Sequence, residues 1–190
     1  DATLDGPGSL LAFLRDVYVP ERMVGCSPSS IEQHAVSVRR FARHLGRPPM
    51  VTDLTDELVS RHLGWMIDKG KSAATANAAR GSLLALWRHA RRRKLLTDAP
   101  TVEKLRTIKR LPEAWTTEQM DKLLEACAAT PGMIGLQRAG PFWVALVRVL
   151  YDSGLRRSAA MAIERRHVDL PGGWLFVPGE EQKQKADQRF

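Results

Sequence analysis

Cysteine, aromatic side chains and long apolar stretches are all scarce in this chain of 190 residues. Its two cysteines, Cys26 and Cys127, lie far apart and outside any metal-ligand spacing, which indicates a reducing compartment and no zinc site. The chain has no run of about 18 apolar residues, so we expect no membrane span. It begins at Asp1 with neither a secretory leader nor a methionine, and we expect it to be a piece of a longer protein.

Basic residues are distributed unevenly along the chain. Residues 1–111 carry 19 Lys and Arg against 11 Asp and Glu, whereas residues 112–190 carry 10 of each class. Within the first part, residues 69–110 hold 12 basic and 2 acidic side chains. This asymmetry is typical of a nucleic-acid surface, and a solubilising face is the alternative explanation. Because the basic residues also fall on one helical stripe, the sequence favours nucleic acid.

Four helices are predicted before residue 98, because apolar residues recur there at helical spacing and polar capping residues stand near the starts. The first helix is expected to end at Pro20, since proline does not continue a helix. The predicted bounds are about Ser9–Val19, Ser27–Gly46, Thr55–Gly70 and Ser72–Leu96.

The fourth predicted helix has two contrasting faces. At about 100° per residue, one face is apolar and is expected to pack inward. The opposite face is basic and is expected to be free to meet phosphates, and Arg39, Arg40, Arg43 and Arg47 give the second helix a similar polar side. The apolar face comprises Ala76, Ala79, Leu83, Leu86, Trp87 and Ala90, and the polar face Asn77, Arg80, Arg88, Arg91 and Arg92.

The second half of the chain alternates between helical and extended patterns. Residues 99–111 are predicted to form a basic linker that follows the DNA backbone between two domains. A capping box at Thr116–Gln119 begins a helix that ends at about Ala129. Pro141–Tyr151 is apolar nearly all round, which predicts a buried helix, and Met161 and Ile163 are expected in the core of the next helix. Trp174–Pro178 predicts a short strand after a Gly-Gly turn.

One short turn carries the most specific signal. The sequence Ser153-Gly154-Leu155-Arg156 follows the apolar helix, and the planar guanidinium of Arg156 matches a phosphate. Basic helices precede this turn. It is followed by Val168-Asp169-Leu170, Trp174-Leu175-Phe176-Val177 and Lys183. In this order of parts the chain resembles a tyrosine recombinase of the phage-integrase type, a family that typically has Thr-Gly-Leu-Arg at this turn. A surface arginine that caps a helix is the simpler alternative for Arg156.

The resemblance implies a mainly α fold in two domains. Residues 1–98 would form a four-helix core-binding domain of the SAM-like type, with the basic linker at 99–111. Residues 112–190 would form the first part of an α+β catalytic domain with a small β-hairpin or sheet. The order of these parts carries more weight than any single motif.

The resemblance also implies a reaction that needs no metal or cofactor. A tyrosine hydroxyl attacks a DNA phosphodiester and forms a 3′-phosphotyrosine link. Arg156 matches the first of the two catalytic arginines of the family, and a fixed guanidinium suits the negative charge of a pentacoordinate phosphorane. Lys183 matches the hairpin lysine that protonates the leaving 5′-oxygen. Lys185 is the alternative, because a hairpin register shifts easily.

This sequence departs from the family pattern in two ways. The family usually has a glutamate three residues after the first arginine, where this chain has Ala159. The later His-x-x-Arg motif, the second His or Trp and the nucleophilic tyrosine would lie beyond residue 190. Tyr18 and Tyr151 do not occupy the place of the nucleophile, so this chain alone is not expected to cleave DNA.

The implied partner is double-stranded DNA, bound by a homotetramer of the full protein, with no membrane involved. The implied location is the cytoplasm, either at a bacterial nucleoid or in a protein encoded by a phage or mobile element. The alternatives are a non-enzymatic DNA-binding protein or degenerate recombinase, and a helical module that binds acidic proteins. The predicted DNA-binding residues are Arg39, Arg40, Arg43, Lys71, Ser72, Thr75, Asn77, Arg80, Arg88, Arg91 and Arg92.

Overall fold

A computed structural model describes residues 6, 8–108, 113–179 and 187–189 of the chain. The chain divides into two compact units, Asp1–Arg110 and Leu111–Phe190. The described residues are mainly helical, with short antiparallel strands in the second unit. No helix in the described part of the chain is both long and apolar enough to cross a membrane.

The first unit opens with a helix that passes through a proline. Helix α1 spans Leu10–Phe13, a π-helical turn follows at Leu14–Tyr18, and α2 spans Val19–Arg22. The prediction that Pro20 ends this helix is therefore wrong. Proline lacks an N–H and collides with the carbonyl group four residues earlier in a regular α-helix. The wider π-helical turn, in which the N–H of Val19 donates to the carbonyl oxygen of Leu14, precedes Pro20 and relieves this conflict.

Three longer helices complete the first unit, and their starts confirm the capping predictions. Their bounds are Pro28–Leu45 for α3, Asp56–Asp68 for α4 and Ala73–Arg92 for α5. The side chains of Ser27, Thr55 and Ser72 each accept a hydrogen bond from a backbone N–H three residues later, at 3.2–3.3 Å. Helix α5 ends at Arg92, earlier than predicted.

The core of the first unit lies between these helices. Helix α5 contributes most of it, and every residue of the predicted apolar face is buried, which confirms that prediction. Burial of each large apolar side chain stabilises the unit by about 1.5–3 kcal/mol before conformational entropy is subtracted. The buried members of α5 are Ala76, Ala79, Ser82, Leu83, Leu84, Leu86, Trp87, His89 and Ala90.

The second unit begins with two packed helices joined by a hairpin. Helix α6 spans Thr117–Ala128 and starts at the predicted capping box, in which Thr116 and Gln119 exchange hydrogen bonds at 2.9 and 3.2 Å. Strands β1, Met133–Ile134, and β2, Gln137–Arg138, pair antiparallel between the two helices. Helix α7 then spans Ala139–Ser153 and packs against α6.

Helix α7 differs from the sequence prediction in its exposure. A buried helix was predicted, yet only Ala139 and Gly140 are buried, and the side chains of Trp143 and Tyr151 are 39% and 57% exposed. Apolar side chains lie on all sides of α7, whereas the described neighbouring elements cover only part of its surface. In the short helix α8, Arg157–Met161, the side chain of Met161 is 58% exposed, so its prediction as a core residue is also wrong.

A small antiparallel sheet completes the second unit. Its strands are β3, Val168–Asp169, β4, Trp174–Val177, and β5, Gln188–Arg189, in that spatial order. Val168 pairs with Leu175, and Phe176 pairs with Arg189. The predicted strand and its preceding turn are confirmed. Phe190 lies outside the described residues.

Candidate nucleic-acid interface and catalytic turn

Two arginines form the open part of the basic stripe on α5. Arg88 and Arg92 are four residues apart, so they share one side of the helix. Both side chains are exposed, and neither makes a hydrogen bond or ion pair with another described residue. Two exposed guanidinium groups on a rigid helix have the donor geometry for neighbouring phosphates.

The other predicted polar residues of α5 bind the chain segment that follows this helix, and two of them, Asn77 and Arg80, are half-buried. The Asn77 side-chain amide donates to the carbonyl oxygen of Leu105 at 2.8 Å, and its oxygen accepts from the N–H of Leu105 at 2.8 Å. Arg80 donates to the carbonyl oxygen of Val102 through Nε at 2.9 Å. Arg91 donates to the carbonyl oxygen of Thr97 at 3.1 Å. The prediction of one solvent-facing stripe is therefore wrong for Asn77 and Arg80, because the following chain segment covers that flank, whereas Arg91 stays exposed.

The segment after α5 is part of the first unit rather than an open linker. Val102 is only 6% exposed and belongs to the core, and Leu105 packs against that core. Lys104, which lies between Val102 and Leu105, and Arg106, which follows Leu105, are both exposed. Residues 109–112 of the predicted linker lie outside the described residues.

The cations of α3 have different environments. Arg39 pairs with Glu32, so part of its charge is neutralised locally. Arg43 is exposed, whereas Arg40 is half-buried, and neither has a hydrogen-bond partner among the described residues. Arg47 makes a bidentate ion pair with Asp53 at 2.6 and 2.7 Å, which the sequence analysis missed. The hydrogen bond from Arg47 lowers the pKa of Asp53, despite the opposing effect of burial.

The start of α5 carries the remaining predicted contacts. Ser72 is the N-cap residue, and its hydroxyl group also lies 2.9 Å from that of Thr75. Ser72 therefore has a capping role in the structure, whether or not it also contacts DNA. Lys71 and its neighbour Lys69 are exposed on either side of Gly70, and Lys69 was not predicted as a site residue. The signal in the sequence that could have identified Lys69 is its position next to Lys71 in the same short turn.

The sequence analysis also missed a buried aromatic cluster between α3 and α4. His62 is fully buried between Phe41 and Trp65, with ring centroids at 5.3 and 5.7 Å. Burial, followed by the charges of His44 and Arg40, lowers the pKa of His62 to about 4. The sequence signal was the position of His62 between Val59, Leu63 and Met66 on the apolar side of α4.

In the second unit, Arg156 lies at a tightly defined turn. Gly154 has φ +63°, in the left-handed region that favours glycine, and caps α7 through its N–H to the carbonyl oxygen of Leu150 at 3.0 Å. The N–H of Leu155 donates to the Ser153 hydroxyl oxygen at 3.3 Å, and the Leu155 side chain is buried. Arg156 follows as an exposed residue at the start of α8.

This turn holds the backbone of Arg156 while its side chain stays accessible. Arg156 and Arg157 make no hydrogen bond or ion pair within the part of the chain that the structure describes. Ala159, at the position of the expected glutamate, is buried in the same small core as Leu155 and Val177. Lys183 and Lys185 both lie outside the described residues, so their distances from Arg156 are not defined.

The described residues contain no group of three or more His, Cys, Asp or Glu side chains that is arranged to hold a metal ion. Cys26 and Cys127 are free thiols, one in each unit.

The chain is similar to tyrosine recombinases over most of its length. It is 30% identical to the tyrosine recombinase XerC of Rhodospirillum centenum over 165 residues, which are 80% of this chain and 46% of that protein. It is 24% identical to XerC of Serratia marcescens over 180 residues, 92% of this chain and 55% of that protein. The match to XerD of Pseudomonas putida is 29% over 136 residues, 70% of this chain and 43% of that protein.

These relatives are longer than the present chain, which spans about half of their length. No protein-family model matches the chain.

Proposed function

We propose that this chain is the DNA-binding part and the first portion of the catalytic domain of a site-specific tyrosine recombinase. The observation that carries the proposal is the similarity to XerC and XerD recombinases across both units. The Gly154-Leu155-Arg156 turn supports it, because an accessible guanidinium stands there on a rigid backbone.

The first unit would act as a helical core-binding domain that grips double-stranded DNA. Arg88 and Arg92 on α5, Arg40 and Arg43 on α3, and Lys71 would contact the sugar-phosphate backbone. These contacts would position the protein without reading base sequence. Arg39 would contribute less, since Glu32 already neutralises it.

The second unit would supply two groups to phosphoryl transfer. Arg156 would donate to the non-bridging oxygens of the scissile phosphate, where negative charge grows as the pentacoordinate phosphorane forms. Lys183, or Lys185 in a shifted register, would protonate the leaving 5′-oxygen. The attacking tyrosine would belong to a later part of the full protein, so the chain alone would bind DNA without cleaving it.

The full protein would act as a homotetramer on paired recombination sites in the cytoplasm. No metal or redox cofactor is needed for this transesterification, because the phosphotyrosine link conserves the energy of the phosphodiester. Whether the reaction integrates, excises or resolves DNA depends on the sites and not on these residues.

A second candidate function is DNA binding without catalysis. The specific observation in its favour is Ala159, a buried methyl group where the family has an acid that supports the active site. A degenerate recombinase retained for binding would keep the arginines of α5 while losing active-site support.

The DNA-binding proposal is tested by the salt dependence of duplex affinity. Each phosphate contact contributes a slope of about −0.9 to log K against log salt. We expect Arg88→Ala and Arg92→Ala each to weaken binding to all duplex sequences and to reduce the slope by about one. Fluorescence anisotropy from 50 to 200 mM salt measures both quantities.

Arg61→Ala is the matched control for this test. Arg61 is an exposed arginine of α4 in the same unit, but it pairs with Glu57 at 2.8 Å. We expect its removal to leave the slope nearly unchanged. Equal effects of all three substitutions would show that only net charge matters and would contradict the assignment of the α5 face.

A further inference from the structure

The segment Thr97–Leu105 is held against α4 and α5 by side chains that bind its backbone. We call this segment the strap. Its backbone accepts hydrogen bonds from Trp87, Arg91, Arg80 and Asn77 at the carbonyl oxygens of Asp98, Thr97, Val102 and Leu105, respectively. The strap has no regular secondary structure of its own, so these side chains replace the partners that a helix or sheet would provide.

Asn77 holds the last residue of the strap in a two-point contact. Its amide both donates to and accepts from the backbone of Leu105, with each distance at 2.8 Å. A side-chain amide that makes both bonds fixes the orientation of the peptide as well as its position. The Leu105 side chain packs on the core at the same point.

Asp56 holds the middle of the strap from the other helix. One carboxylate oxygen accepts from the N–H of Thr101 at 2.8 Å and from the N–H of Val102 at 3.2 Å, and the other accepts from the Thr101 hydroxyl group. The hydrogen bond from the Thr101 side chain lowers the pKa of Asp56, and this effect is larger than the opposing effect of burial. Val102 itself is inserted into the core.

We propose that Asn77, Asp56 and Arg80 are positioning residues that fix the point at which the chain leaves the first unit toward the second. This inference rests on the proposed function, because it concerns the length of chain that is left between two units proposed to contact DNA. It assigns to Asn77 and Arg80 a role other than contact with phosphates.

The strap sets the length of the connection between the units. From Leu105 to Thr116, where α6 is capped, a fully extended chain would reach roughly 36 Å at about 3.3 Å per residue. If the strap were released back to Leu96, the reach would be roughly 66 Å. The effective concentration of one unit at its site falls roughly as the −3/2 power of linker length, so release would lower the affinity of the joined units about two- to threefold.

The test uses the double variant Asn77→Ala with Thr101→Ala. It removes one attachment to each helix without changing charge or any core side chain. The matched control is Thr107→Ala, an exposed threonine beyond the strap that makes no hydrogen bond with the described residues. Circular dichroism should give the same helix content for all three proteins, and Asn77→Ala alone serves if the double variant loses helix.

Release of the strap is read from amide hydrogen exchange. We expect the amides of Val102 and Leu105 to exchange about tenfold faster in the double variant and at the normal rate in the control, because the variant has lost bonds to the strap. Unchanged exchange at both amides would overturn the proposal.

Positioning is read from the distance between the two units. Donor and acceptor dyes on Cys26 and Cys127 report this distance, since each unit carries one free thiol. We expect a broader distance distribution in the double variant than in the wild type or the control. Faster exchange with an unchanged distribution would mean that the attachments only stabilise the first unit, and would overturn the inference.

DNA binding separates this proposal from the proposed function. The double variant should bind duplex DNA more weakly by at most two- to threefold, because Trp87, Arg80 and Arg91 still hold part of the strap. Its salt slope should be unchanged, since no phosphate contact is lost. A reduced slope would instead place Asn77 at the phosphates and contradict its positioning role. If no protein binds DNA, the proposed function fails, while the exchange and distance measurements still decide whether the strap positions the units.

Discussion

At the scale of single residues, His62 is the side chain whose chemistry is most altered by folding. Neither ring nitrogen has a hydrogen-bond partner among the described residues, and the ring is fully buried beside Phe41 and Trp65. Its pKa of about 4 means that the imidazole is neutral in the folded protein near pH 7. The groups that face it from α3 are His44 and the cationic Arg40, which both oppose protonation.

His62 should make the first unit unstable in mild acid. The unfolded histidine takes up a proton near pH 6.5, whereas the folded one does so only near pH 4. Between these values the unfolded state binds more protons, so stability is full above pH 6.5 and is lost as pH falls toward 4. The loss amounts to about 3 kcal/mol at most. Urea unfolding followed by circular dichroism at pH 4.5 and pH 7.5 measures it.

His62→Phe is expected to reduce this pH dependence, because it keeps an aromatic ring in the cluster without a titrating nitrogen. His34→Gln is the control, since His34 is only half-buried and its ring contacts Tyr18 outside the cluster. If the His62→Phe protein lost as much stability between pH 7.5 and 4.5 as the wild type, other groups would account for the acid sensitivity.

At the scale of elements, the contact between α6 and α7 depends on a glycine. A Cβ atom at Gly140 would collide with the carbonyl oxygen of Ala128, which belongs to the backbone and has little room to move. We expect Gly140→Ala to destabilise the second unit by about 1–3 kcal/mol, as overpacking does, despite the better helix propensity of alanine. Hydrogen exchange of α6 and α7 measures the effect.

Gly81 provides the opposite case in α5. It is exposed, and a Cβ atom there would have no neighbour within 4 Å. We expect Gly81→Ala to stabilise the first unit by about 0.5–1 kcal/mol through helix propensity alone. A stabilising Gly140→Ala, similar to Gly81→Ala, would mean that α7 shifts away from α6 without cost.

Helix starts were predictable because their signals are local. Ser27, Thr55, Ser72 and Thr116 all cap the helices assigned to them, and a cap involves residues three positions apart. The strap was not predictable, because its partners, such as Asn77 and Leu105, are 28 residues apart. The helical wheel separated apolar from polar residues correctly, but it contained no information about a segment that covers one polar flank.

At the scale of the whole molecule, the turn at Arg156 was found from four letters because its geometry is also local. The placement of the proposed lysine relative to Arg156 could not be found in this way, because Lys183 is 27 positions further along the chain and a hairpin register shifts easily. The apolar surface of α7 shows the same limit. Composition predicted burial, whereas exposure depends on which other parts of the chain are present to cover it.

The proposed catalytic role of Arg156 predicts a specific defect in the proposed full-length recombinase. With a nicked duplex that traps the covalent intermediate, we expect Arg156→Ala to reduce phosphotyrosine formation by about 10²–10³, the usual effect of removing one transition-state donor. Duplex affinity should change less than threefold, because most of the proposed phosphate contacts belong to the first unit. Gel shift and covalent trapping measure the two quantities separately.

Arg157→Ala is the control for this experiment. Arg157 is the adjacent exposed arginine with the same charge, but it lies one position beyond the family motif. We expect covalent trapping by this variant to stay within a few-fold of the wild type. Equal losses for both variants, or normal trapping by Arg156→Ala, would contradict the assignment and favour the non-catalytic alternative.

The π-helical turn before Pro20 constrains how this protein can be altered. Such a turn has one residue more than the α-helical turn it replaces, so a single deletion within Leu14–Tyr18 would restore ordinary helical geometry. That deletion would rotate Leu10 and Phe13 by about 100° relative to α2 and return Pro20 to a position where its ring strikes the preceding turn. Shortened variants therefore need a replacement for Pro20 together with the deletion.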